Sequence, residues 1–108
     1  MKKKLYFVVL HYQAFDVTCN CISSLLNLIT DVVDVSIIVV DNASPNGSGN
    51  QLKNKYKNAN RVRVVLNKNN DGFAKGNNIG FVIAKGSTAK DAIMACEEAM
   101  KVIQIKID

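Results

Sequence analysis

Asp41, Asn42 and Ser44 form a polar Asp-Asn-x-Ser group directly behind four β-branched residues, Ile37 to Val40. A run that short and that apolar suits a strand buried on both faces, as in a parallel sheet, better than a free-standing helix. Ligands of open α/β sheets bind beyond the carboxyl ends of the strands. This carboxylate, amide and hydroxyl therefore stand where a small polar molecule would be read. Pro45-Asn46-Gly47 then turns the chain away. The competing reading is that the three side chains only cap the strand and feed the turn.

A second group is Asp71-Gly72-Phe73-Ala74-Lys75-Gly76-Asn77-Asn78-Ile79-Gly80, in which three glycines recur at spacing four among polar amides. Ile79, Val82 and Ile83 continue at helical spacing, so a flexible loop is expected to lead into a helix. The start of a helix favours anions, and Gly72 and Gly76 would let a ligand approach the backbone closely. A turn with Asn caps and a glycine that permits tight helix packing is the alternative. The third group, His11-Tyr12-Gln13, follows the apolar run Leu5 to Leu10. Tyr12 offers an aromatic face, whereas His11 fits best as a neutral, hydrogen-bonded residue at a strand end.

These groups need a frame. Leu5 to Leu10 reads as a first buried strand, and Asp16 as the N-cap of a helix whose stripe is Val17, Cys21, Leu25, Leu28 and Ile29. The chain then returns through the strand at Ile37, completing a βαβ unit. Leu52 and Tyr56 support a helix of roughly two turns. Arg61 to Leu66 alternates like a third strand nearer the sheet edge. Thr88 and Asp91 predict a capped helix carrying Ile93, Cys96 and Met100, and Ile103, Ile105 and Ile107 a final half-buried strand. The expected fold class is α/β: a three-layer, mainly parallel sheet with flanking helices in one domain spanning residues 1–108.

With 108 residues and 48% apolar content, the chain suits one globular core. No apolar run approaches the roughly 20 residues of a membrane-spanning helix. Lys2-Lys3-Lys4 precedes only six apolar or aromatic residues, too few for a signal peptide, so the expected location is the cytoplasm, free or at a membrane surface. Three cysteines without paired spacing and one histidine indicate neither a zinc site nor a disulfide framework. The net charge is +5, and between Gln51 and Lys90 nine basic residues face the single acid Asp71. That surface could attract phosphates or an anionic membrane, but no nucleic-acid motif accompanies it and no nucleic-acid partner is expected. A dehydrogenase-type dinucleotide site is excluded as well, because His11-Tyr12-Gln13-Ala14-Phe15 stands where GxGxxG would follow the first strand.

The succession of His11-Tyr12, Cys21-Ile22-Ser23-Ser24-Leu25, Ile37 to Ser44 and Asn70 to Gly80 resembles the N-terminal half of family 2 glycosyltransferases with the GT-A fold. The rhamnosyltransferase-like members are the most similar, and the resemblance covers residues 4–86. It implies binding of a nucleotide sugar of the UDP or dTDP type. His11, Tyr12 and Gln13 would lie against the nucleoside, and Asp41 would hydrogen-bond the base with Asn42 and Ser44 beside it. Asp71, Gly72, Phe73, Gly76, Asn77 and Asn78 would line the same pocket. The family also implies Mg²⁺ or Mn²⁺ on an Asp-x-Asp motif and a carboxylate base, yet no Asp-x-Asp occurs here and residues 87–108 diverge. The expectation is a truncated, GT-A or Rossmann-like half that binds the donor without transferring sugar alone, with no catalytic residue or metal ligand assigned. The alternative is a non-catalytic binding or assembly domain that self-associates through uncovered apolar surface.

Overall fold

A computed structural model describes residues 3–28, 33–70, 72, 75, 76, 78–80, 91–96 and 101–106. Strand β1 (Lys3–His11) leads through helix α1 (Phe15–Leu26) to β2 (Val33–Asp41), and helix α2 (Ser48–Lys55) leads to β3 (Val62–Leu66). Strands β4 (Asp91–Cys96) and β5 (Lys101–Lys106) complete the sheet. Its order is β3-β2-β1-β4-β5, with β1 parallel to both β2 and β4, β2 parallel to β3, and only β4–β5 antiparallel. The order reverses between β1 and β4, which is where open α/β sheets leave a crevice. The mainly parallel α/β sheet is as expected, and β3 is indeed an edge strand.

Strand alternation divides the core in two. Phe7 and Val9 of β1 and Val35, Ile37 and Val39 of β2 face the helix layer, where they meet Cys19, Cys21, Ile22 and Leu25 of α1 and Leu52 of α2. Val8, Leu10, Ile38 and Val40 face the opposite side, where the partly buried Tyr6, Val65 and Ile79 pack against them. Both faces are dry, which is why β1 and β2 read as continuous apolar runs rather than alternating ones. Cys19 and Cys21 are buried. Arg61, just before β3, pairs with Asp34 of β2 and closes the end of the sheet remote from the loops described below. No helix among the described residues is long and apolar enough to cross a membrane.

Two local expectations are corrected. Asp16 is not the N-cap of α1: Ala14 holds that place without a side-chain bond, and Asp16 lies in the first turn, where its charge complements the helix dipole. The segment carrying Ile93 and Cys96 is a strand, not a helix. Its Asp91–Cys96 backbone pairs with Leu5 to Leu10 of β1, so an edge of the central strand that would otherwise stand open overrides the helical preference of Ala92, Met94 and Ala95. Thr88 lies outside the described residues.

Candidate functional site

Parallel register sets His11 of β1 directly beside Asp41 of β2 at the carboxyl ends of both strands. Both are odd-numbered positions of their strands, so both point to the helix layer, where α1 and α2 begin. His11 is fully buried. Its Nδ1 lies 2.6 Å from the Thr18 hydroxyl of α1 and its Nε2 lies 2.8 Å from the Ser48 hydroxyl of α2. The imidazole thus ties the starts of both helices to the end of β1. Burial lowers its pKa below 6.5, with the Asp41 carboxylate 4.0 Å away acting in the opposite sense. Desolvation prevails, and the ring is neutral at pH 7.

Asp41 is 5% exposed. Its Oδ1 accepts the Ser44 hydroxyl at 2.5 Å, and the Ser44 N–H lies 3.3 and 3.4 Å from its two oxygens. Gly49, in the first turn of α2, makes room for Oδ2, because a Cβ there would collide with the carboxylate. The Ser44 hydroxyl also accepts the N–H of Gln13 at 2.9 Å, while the Asn46 amide donates to the Gln13 carbonyl at 2.9 Å. Both backbone polar groups of Gln13 are therefore clamped. The clamp sustains left-handed backbone at Gln13 (φ 64°) and Ala43 (φ 59°), a conformation that costs a residue with a Cβ roughly 1–2 kcal/mol. Strain held in two loops at one end of a sheet fits a preformed binding surface. Tyr12 lies between the two anchors and is 44% exposed.

The third wall is held by Asn42, which is buried. Its amide donates to the Gly72 carbonyl at 3.2 Å and its Oδ1 accepts from Asn67 at 3.1 Å. Gly72 takes φ 99° beside open space, so its glycine serves the turn. Gly76 and Gly80 serve packing: a Cβ at 76 would strike Leu10 and Asn42, and one at 80 would strike Val8. Spaced by four on helical backbone, the two glycines seat that segment on β1. Asn78 is exposed, and Asp71, Phe73 and Asn77 lie outside the described residues.

The structure thus brings His11, Tyr12, Gln13, Asp41, Asn42, Ser44, Gly72 and Gly76 to one end of the sheet, but with unequal access. His11 and Asn42 are occupied by protein partners, whereas Tyr12 and Gln13 face outward. Sequence reasoning did not find Thr18, Ser48, Asn46, Gly49 or Asn67. Thr18 continues the buried Ile22 and Leu25 at helical spacing, and Ser48 opens α2, which were the available signals. Among the described residues no three His, Cys, Asp or Glu side chains converge. His11 has both imidazole nitrogens on hydroxyls and Asp41 one carboxylate oxygen on Ser44, so among the described residues this pair does not fit a divalent metal.

The fold is that of an α/β domain with a mainly parallel sheet. The sequence matches the model of glycosyl transferase family 2 over residues 6–94, and the chain belongs to that family. Among solved structures, it is similar to the mannosyltransferase PcManGT from Pyrobaculum calidifontis, solved with GDP-Man and Mn²⁺, at 14% identity and a TM-score of 0.70. It is also similar to residues 1–349 of TarS from S. aureus, at 19% identity and a TM-score of 0.63. Each superposition covers 91% of this chain and 28% of the other, so the chain spans less than a third of either neighbour. A comparison with curated proteins gives no match.

Proposed function

We propose that this chain is the nucleotide-recognising part of a sugar transferase and holds the nucleoside of a UDP or dTDP sugar against the ends of β1 and β2. The observation that carries the reading is the seating of Asp41 by Ser44 and Gly49 in register with β1, with the exposed Tyr12 ring one residue past that strand. An aromatic face and a fixed carboxylate are what a flat, N–H-bearing base requires. Oδ1 is already engaged by Ser44, which leaves Oδ2 as the less occupied acceptor. One acceptor suits the single ring N–H of uracil or thymine better than the two adjacent donors of guanine. The GDP-Man bound by the archaeal neighbour supports a nucleotide sugar as the ligand class.

Transfer is a separate matter. Nothing in this chain offers the Asp-x-Asp that the family uses for metal. Asp41, engaged by Ser44 at the nucleoside end, is not placed to activate an acceptor hydroxyl. The chain on its own is expected to bind donor and transfer no sugar, and a cytoplasmic location fits its reading. Calorimetric titration with UDP, dTDP and GDP, repeated on Asp41→Ala, tests this. The expected result is binding of UDP or dTDP that the variant loses; binding unaffected by the variant, or sugar transfer above a protein-free blank, would overturn it. If none of the three nucleotides binds, a non-catalytic assembly domain becomes the better reading, and sedimentation would have to show self-association.

A further inference from the structure

Asn46 stands in the Pro45-Asn46-Gly47 turn, and both ends of its side-chain amide are used. Its Oδ1 accepts the N–H of Ser48, the first residue of α2, at 3.1 Å, while its Nδ2 donates to the Gln13 carbonyl at 2.9 Å. That is the partner set of an amide. A carboxylate of the same shape would keep Ser48 but turn an oxygen lone pair on the Gln13 carbonyl. Gln13 needs the tether, because its φ of 64° is disfavoured for a residue with a Cβ. It also directly follows Tyr12, the exposed aromatic at the sheet end. On the other side of Tyr12, His11 is pinned by the Thr18 and Ser48 hydroxyls. The aromatic is thus bracketed by two residues that contacts from α1, α2 and the Pro45 turn hold in place.

We propose that Asn46 is a positioning residue for nucleoside binding: by holding the Gln13 carbonyl it keeps the left-handed turn, and with it the Tyr12 ring, in the binding arrangement without touching the ligand. The proposal rests on the nucleotide reading above. With only its N–H held by Ser44, Gln13 can relax to negative φ. The share of molecules that carry the turn then falls to roughly a tenth, and apparent affinity falls by the same factor. Capping α2 is a second use of the same side chain, and substitution separates the two. Asn46→Asp keeps the acceptor for Ser48, with a charge that suits a helix start, and loses only the donor to Gln13. Asn46→Ala loses both.

Calorimetric titration of the full chain and both variants with uridine and thymidine tests this, since an added carboxylate does not repel uncharged ligands. NMR reads two markers beside it: the strong intraresidue HN–Hα cross-peak of a positive φ at Gln13, and hydrogen exchange at the Ser48 amide. The expected result is about tenfold weaker binding in both variants with a diminished Gln13 cross-peak, while Ser48 exchange quickens in Asn46→Ala alone. Binding that Asn46→Asp leaves unaltered, or that weakens while the Gln13 cross-peak stays as it was, would overturn this proposal and leave the nucleotide reading standing. A wild-type chain that binds neither nucleoside would overturn both readings. If Asn46→Ala does not fold, Asn46→Asp decides, because it retains the cap.

Discussion

His11 is the chain's single histidine, so its titration can be read without interference from another imidazole. Folding removes it from water and bonds both its nitrogens to hydroxyls, and burial lowers its pKa below the 6.5 of a free side chain. The unfolded chain therefore binds a proton at higher pH than the folded one. The stabilisation from keeping His11 neutral is complete above pH 6.5 and is lost as pH falls from there toward the folded pKa. The slope over that window is at most about 1.4 kcal/mol per pH unit for one proton. Asp41, 4.0 Å away, reduces the size of the shift without reversing it. Urea unfolding at pH 7.5, 6.5 and 5.5 should show a loss of up to about 1.4 kcal/mol between the last two points and little change between the first two. His11→Gln should flatten that profile. It should also cost about 2–4 kcal/mol at pH 7.5, because Thr18 and Ser48 lose a buried partner. Stability that rises between pH 6.5 and 5.5, or an identical profile in His11→Gln, would refute the burial argument.

Other substitutions test the packing and the strained loops. Gly80→Ala places a methyl against Val8 and should destabilise by about 1–2 kcal/mol despite the better helix propensity of alanine, read by thermal or urea unfolding. Ala43→Gly should stabilise by up to about 1 kcal/mol, since relief of left-handed strain exceeds the added chain entropy, whereas Gly47→Ala (φ 77° at present) should destabilise by a similar amount. Ile22→Ala, at a fully buried position of α1, should cost about 2–5 kcal/mol by the same assay. Burial and the Cys19 thiol push the Tyr56 hydroxyl up to about 12, so ultraviolet titration should show a tyrosinate that appears only near pH 12 and is missing in Tyr56→Phe.

The elements around β1 and β2 were legible because local pattern and final environment agree. Leu5 to Leu10 and Ile37 to Val40 are apolar on both faces, and the sheet does bury both faces. The stretch Asp91–Cys96 was misread because its alanines and methionine favour a helix, while its strand state depends on pairing with β1, some eighty residues earlier in the chain. Asp41, Tyr12 and Gln13 could be placed at the sheet end from strand order alone. What the order could not reveal is which polar groups are already occupied. The Thr18 and Ser48 hydroxyls on His11, and Asn67 on Asn42, are contacts between segments whose spacing carries no local signal. The glycines are similar: their spacing marked a special backbone, and only the proximity of Val8 and Leu10 shows that Gly76 and Gly80 serve packing while Gly72 serves a turn.

The ends of β1 and β2 are expected to form a nucleoside pocket. Amide chemical-shift mapping of the isotope-labelled chain during titration with UDP and dTDP tests it most directly. Perturbations are expected at Tyr12, Gln13 and Asp41 to Ser44, with the Val62–Leu66 and Lys101–Lys106 strands unmoved and the response abolished in Asp41→Ala. Shifts that instead cluster on the exposed lysines of α2, or that persist in Asp41→Ala, would contradict it.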